Sequence, residues 1–306
     1  MTAKGWLPSH RRREDFGRGE HQLEARAYEL APEALVALLR ETLESPSYRA
    51  PVLPSVAIEL MKLTRQPHVQ LGAVRQLLER DSLLAARVLQ LAQSALYSRG
   101  APIRSLDEAI SRLGLRTLEE LFLQTVLSLR VFRASGFEKP MEDLMRHSML
   151  TAHLARIACR LTAIPDEFAF LCGLLHDVGM AAGLLILADQ KGSGARRLAP
   201  PAFEEIAFAL QTVHEEASAV LADAWNLHPE VRLVIGIHHH FQQGRRIHPM
   251  AAVLCVADWV ASEAGTAIGT EVDASRAEEA REHLGFSKQV MSDLASRARE
   301  TLELAL

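Results

Sequence analysis

The sequence predicts an all-α fold, and three observations carry that prediction. From Ala31 onward apolar residues recur three and four positions apart, the period of helices with one buried face. Capping boxes and Pro-led helix starts punctuate the pattern at short intervals. No stretch alternates apolar and polar residues long enough for a half-buried strand. The 17 Gly and 13 Pro among 306 residues are also too few for a turn-dense β architecture.

The elements follow in order. Residues 1–30 carry Arg11-Arg12-Arg13-Glu14-Asp15 and few large apolar side chains, so they read as a poorly ordered lead-in. Pro32-Glu33 opens a helix with Leu35, Leu38, Leu39 and Leu43 on one face. Pro51-Val52-Leu53-Pro54 is extended, and Val56, Leu60 and Leu63 then resume helical spacing. Asp81 is placed to cap Leu83–Leu91. Ser105-Leu106-Asp107-Glu108 has capping-box form and opens a helix that stops at Gly114. Thr117-Leu118-Glu119-Glu120 has the same form and opens Leu118–Phe132.

Gly136–Pro140 is a joint between a first helical lobe, 31–140, and a second, 141–306. The second lobe starts with the helix Met141–Leu161. Pro165-Asp166-Glu167 then leads into the apolar stretch Phe168–Ala188. Lys191–Pro201 is the clearest loop. Helices resume near Phe203, at His228-Pro229-Glu230 and at Pro249, and Ala264–Thr270 forms a second loop. Glu271–Leu306 is charged and amphipathic, a C-terminal helical extension.

Composition narrows the function. With 48% apolar and 24% charged residues the chain can bury a sizeable core. A net charge of −4 and 5% aromatics argue against nucleic acid as partner, which asks for a basic field or stacking platforms. Cys159, Cys172 and Cys255 sit in apolar runs without CxxC spacing and read as buried thiols in a reducing, cytoplasmic compartment. Met1–Arg18 lacks the apolar stretch of a secretory leader. Phe168–Ala188 is long enough for a membrane span, but His176 and Asp177 would fall near its middle and three glycines interrupt it. It reads as a buried core helix that carries a functional pair.

Several polar residues stand out on otherwise apolar stretches: His147, the pair His176-Asp177, His214, the run His238-His239-His240, and Asp258. Taken singly, each is ordinarily a hydrogen-bonded core residue. Taken together, they put imidazoles and carboxylates on several helices, and an unpartnered buried charge costs several kcal/mol. One or two shared divalent cations would satisfy the whole set, as in helix bundles that build metal sites from facing helices. Imidazole and carboxylate without thiolate suit Fe, Mn, Ni, Zn or Co. Arg146, Arg196, Arg197, Arg245 and Arg246 are available for a phosphate, though any one of them is more simply a solvated surface charge. No P-loop, GxGxxG, GxSxG or zinc-ribbon pattern occurs.

The order His147, His176-Asp177, Asp258 resembles the H…HD…D signature of the HD superfamily of metal-dependent phosphohydrolases. His214 and His238/His239 fall where two-metal members such as the HD-GYP phosphodiesterases add histidines. A narrower likeness is to HDOD domains. Val52-Leu53-Pro54-Ser55-Val56-Ala57 resembles their LPxLPxxA opening. Leu89-Gln90-Leu91-Ala92-Gln93-Ser94-Ala95-Leu96-Tyr97 resembles LxLANSxxY. Ser105 to Gly114 is similar to SxxxAIxxLG, and Gly173-Leu174-Leu175-His176-Asp177-Val178-Gly179 is similar to GLLHDIG. The likeness spans Ala50 to Trp259.

Departures are Gln93 for Asn, Asp81-Ser82 for Asp-Pro, and Met180 where HD-GYP enzymes carry Lys; no GYP follows. Met180 and the missing GYP weaken any assignment to cyclic-dinucleotide hydrolysis. The resemblance implies a two-lobed HDOD fold with an HD-like bundle. It also implies a regulatory module that binds a signalling protein or a small ligand, with His147, His176, Asp177, His214, His238 or His239, and Asp258 as metal ligands. Asp177 would bridge two ions. The alternative it implies is a metal-dependent phosphohydrolase, with Asp177 catalytic. Gln93, Ser94 and Tyr97 are expected to be structural, and His240 to lie on the surface.

Overall fold

The computed structural model describes residues 31–53, 55–64, 68–94, 103–189, 201–269 and 273–305. The lead-in 1–30, Tyr97, most of the 191–201 loop and Arg196-Arg197 lie outside them. The described residues are helical apart from loops and a two-residue hairpin pairing, β1 (Gln242–Gln243) with β2 (Arg246–Ile247), antiparallel. The fold is all-α, as the spacing predicts.

The chain divides into two units. One is Pro51–Val131; the other is Phe132–Leu306 together with the N-terminal stretch to Ala50. The smaller unit holds α2 (Ser55–Thr64), α3 (Leu71–Glu79), α4 (Ser82–Ala92), α5 (Leu106–Leu113) and α6 (Leu115–Arg130). Each amphipathic helix turns a leucine-rich face inward, with Leu60, Leu78, Ile110, Leu118 and Phe122 in the core. Asp81 caps as its position predicts, with its Oδ1 accepting from Leu84 N–H at 3.2 Å. Ser105 Oγ accepts from Glu108 N–H at 3.2 Å. The returning Glu108 carboxylate reaches the N–H of Arg104 at 2.8 Å rather than that of Ser105. Ser94 Oγ donates to Leu91 O at the end of α4, a local structural bond.

One expected helix start is corrected. α6 begins at Leu115, not after Thr117, because Gly114 at φ +76° turns the chain directly from one helix into the next, and its carbonyl already accepts from Leu118 N–H.

In the larger unit α1 (Pro32–Glu44) packs against α10 (Phe203–Ala224) and α9 (Val178–Asp189), burying Leu35, Leu39 and Leu43. This helix, expected in the first lobe, therefore belongs to the second compact unit. α7 (Glu138–Arg160) starts three residues earlier than expected. Pro140 is tolerated in its first turn, where backbone N–H groups have no intrahelical acceptor. α7 packs against α8 (Ala169–Leu175), α12 (Pro249–Ala261) and α14 (Lys288–Ala305), while α11 (Pro229–Ile235) lies against α10 and α8. α13 (Ala274–Leu284) packs on α12 and ends at Gly285 in the left-handed conformation, φ +67°.

The apolar stretch Ala169–Asp189 has mean hydropathy 1.9 and would be long enough to cross a membrane, but 94% of its most apolar window is buried within the fold. It is split into α8 and α9 at His176-Asp177. Two glycines let it sit deep. A Cβ on Gly173 would collide with the backbone of Ala152 in α7, and one on Gly179 with the carbonyl of His214 in α10. These close crossings bring three helices onto one point.

Candidate metal centre

That point is polar. His147, His176, Asp177, His214, His238 and Asp258 are all buried, in the middle of an apolar core. α7 supplies His147, the α8–α9 junction His176 and Asp177, α10 His214, the turn after α11 His238, and α12 Asp258.

The hydrogen bonds fix the imidazole tautomers. Thr266 Oγ1 donates to Ala261 O at 2.7 Å, so toward His147 Nδ1, 3.2 Å away, it can only accept. Nδ1 of His176 lies 2.8 Å from Gly173 O, Nδ1 of His214 against Gln211 O, and Nδ1 of His238 3.0 Å from Ile235 O. In all four rings Nδ1 carries a proton and Nε2 points inward, the arrangement outer partners impose on ligating histidines.

Those inward nitrogens lie close to carboxylate oxygens and to one another. His147 Nε2 is 3.0 Å from Asp258 Oδ1 and 3.9 Å from Asp177 Oδ2. His176 Nε2 is 3.3 Å from Asp177 Oδ2 and 3.9 Å from Asp258 Oδ1, and it is buried without a hydrogen-bond partner. His214 Nε2 and His238 Nε2 are 3.2 Å apart, and both lie about as close to the other oxygen of Asp177, Oδ1, at 3.5 and 3.6 Å. Nitrogens and carboxylate oxygens this close need a cation among them, a proton on an imidazole or a metal ion. Donors about 2.0–2.2 Å from one ion would stand about 3–3.5 Å apart, so the set fits a divalent metal.

The donors form two groups that share Asp177: His147, His176, Asp258 and Oδ2 on one side, His214, His238 and Oδ1 on the other. His239, half-buried, joins the second group and also lies 3.9 Å from Asp258 Oδ2. Sequence left open whether His238 or His239 is the ligand; here both face the cluster.

Electrostatics point the same way. Burial works against charge on His176, but the Asp177 carboxylate, helped by Asp258, more than offsets it and holds the imidazole up to about 9. A proton there substitutes for a cation. Burial also opposes charge on Asp258, yet His147 brings it down to about 2, and His176 holds Asp177 well below the carboxylate range. Burial lowers His214, and burial followed by the neighbouring His238 takes His239 to about 3, so the outer side of the cluster is neutral imidazole.

Three supporting residues are absent from the sequence-derived set. Thr266 orients His147. Glu215 clamps the three-histidine turn, accepting from His239 N–H at 2.7 Å and binding His240 Nδ1 at 2.6 Å. Its place directly after His214 was the available signal. His240 is exposed as expected, although its ring holds Glu215 and lines the entrance. That entrance is a cavity of about 250 Å³ reaching Asp177 and Asp258. The third residue, Arg276, lines it. The arginines singled out from sequence do not: Arg146, Arg245 and Arg246 are exposed elsewhere.

The HDOD domain family profile matches residues 50–241. The chain belongs to the HDOD family. His147 through His239 fall inside the matched stretch, while Asp258 and Arg276 lie beyond it. An uncharacterized protein of Treponema pallidum (strain Nichols) is 28% identical over 197 residues, 62% of this chain and 37% of the relative, so the chain spans little more than a third of that protein. Among solved structures, a proposed metal-dependent phosphohydrolase from Shewanella amazonensis SB2B aligns with TM-score 0.63 at 17% identity, over 88% of this chain and 98% of its own. An HDOD domain protein of unknown function from Geobacter sulfurreducens aligns with TM-score 0.60 at 23% identity, over 89% and 98%. A proposed signal transduction protein from Marinobacter aquaeolei VT8 aligns with TM-score 0.64 at 20% identity, over 89% and 64%. At these identities the likeness is one of fold.

Proposed function

We infer that this HDOD protein is a signalling module whose larger unit binds divalent metal at His147, His176, Asp177, His214, His238, His239 and Asp258. It would pass the state of a small ligand held there to a signalling partner. The observation that carries this reading is the convergence of four imidazole Nε2 atoms on shared carboxylate oxygens, with His176 Nε2 buried and outside any hydrogen bond. Asp177 directs one oxygen to each donor group, which supports a two-ion centre. Imidazole and carboxylate donors suit Fe, Mn, Ni, Zn or Co.

A second reading, metal-dependent phosphohydrolase, is favoured by the open entrance, since a purely structural centre needs none. Bound divalent ions would supply positive charge for a phosphoryl group and a water of lowered pKa. Asp177 would hold the ions, and the half-buried His239 stands at the entrance as a neutral imidazole.

The test is elemental analysis of untagged protein, followed by turnover assays on nucleotides, cyclic dinucleotides and a chromogenic diester. Stoichiometric metal without turnover is expected for the signalling module. Turnover that tracks metal content would establish the hydrolase instead, and protein that takes up no metal would refute both.

A further inference from the structure

We propose that Arg276 makes the entrance of this centre a receptor for a phosphomonoester-type dianion. The inference rests on the metal-centre reading above and names the chemistry it would bind. Arg276 lies on α13, outside the stretch shared with the family profile. Its half-buried side chain lines the cavity and is the permanent cation among the described lining residues.

The guanidinium forms no ion pair with a described residue. The carboxylate nearest in sequence, Asp273, is engaged locally: its Oδ1 accepts from the N–H and Oγ of Ser275 at 2.9 and 2.6 Å. A planar fork of N–H donors therefore borders a cavity whose floor is the metal centre. Guanidinium matches phosphate oxygens in a way a point charge does not.

Size and charge restrict the ligand further. At about 250 Å³ the cavity is smaller than the roughly 300–1,000 Å³ of pockets that enclose drug-sized ligands. A phosphoryl group with one modest substituent fits, and Met180 and Ile268 offer that substituent an apolar wall. Two divalent ions would bring four positive charges against Asp177, Asp258 and the buried Glu215, while Asp273 offsets Arg276. The remaining positive charge and the Arg276 fork favour a dianion over a diester, which has one negative charge and a second substituent.

The experiment loads the full chain with Mn²⁺, measures metal content, and titrates inorganic phosphate and dimethyl phosphate calorimetrically near neutral pH. Arg276→Gln is expected to weaken phosphate binding about tenfold or more at unchanged metal content, and Arg276→Lys to recover part of the loss. Dimethyl phosphate is expected to bind wild type at least about tenfold more weakly than phosphate. Equal phosphate affinity in wild type and Arg276→Gln, with metal retained, overturns the role of Arg276 and leaves the metal centre standing. Equal affinity for the two anions does the same to the choice of ligand. Wild type that takes up no Mn²⁺ overturns the metal-centre reading and this inference with it.

Discussion

In residues 51–131 ion pairs stay at the surface. Arg80 meets Glu59 at 2.9 Å and Arg75 meets Asp107 at 3.5 Å, all partly exposed, and Glu120 is the buried ionisable group among the described residues. In residues 132–306 four histidine-bearing elements and two aspartates close on one another inside the core, flanked by α9 and α12, which are apolar on nearly every side. The smaller unit is held by ordinary amphipathic packing, with most of its charged groups left in water. The larger unit has given up that hydration for six side chains at once. Such a cluster destabilises a core unless something charged joins it.

The comparison breaks most completely at Asp177. Asp177→Ala is expected to abolish metal retention, measured by elemental analysis, whereas His240→Ala should leave the stoichiometry intact. In wild type, metal at a hundredfold excess over its dissociation constant should stabilise the larger unit by about 2.7 kcal/mol. Melting with and without chelator would read this.

Next in size is a pair of matched substitutions. Gly179→Ala drives a methyl into the His214 carbonyl and should cost about 3 kcal/mol in denaturant midpoint, with loss of metal. In the smaller unit Gly72→Ala has open space around it in α3 and should stabilise by about 0.5 kcal/mol. Two costs of the same sign would show that the two units are packed alike.

A pH effect separates burial from the metal centre. Burial, followed by the charge of Arg156, lowers His153 to about 4. The unfolded imidazole takes up its proton near 6.5 while the folded one does not, so stability falls as pH drops from about 6.5 to about 4. His153→Gln should flatten that slope, by on the order of 1–3 kcal/mol, in urea melts across the window. An unchanged slope would assign the acid sensitivity to the cluster. The smallest effect belongs to the smaller unit. Ser105→Ala removes a helix cap and should cost about 1 kcal/mol without altering metal content.

Much of this was legible in the sequence because it is local. Helix period, caps at Asp81 and Ser105, and the Pro-led starts of α1, α11 and α12 depend on residues within one turn of each other. So does the notice that His147, His176, Asp177, His214, His238 and Asp258 are polar residues on apolar stretches. Thr117 misled because its capping pattern competed with a left-handed glycine three residues earlier, and only the backbone path decides between them.

What tertiary structure alone decided is distance and orientation. It drew α1 into the larger unit through its contact with α10. It brought three helices together at Gly173 and Gly179, and it turned one oxygen of Asp177 to each donor group. Thr266 and Arg276, 119 and 129 positions from His147, became partners of the site only once the chain was folded. Periodicity records which face of a helix is buried, but not which helix covers it. A coordination site is built from the second kind of information.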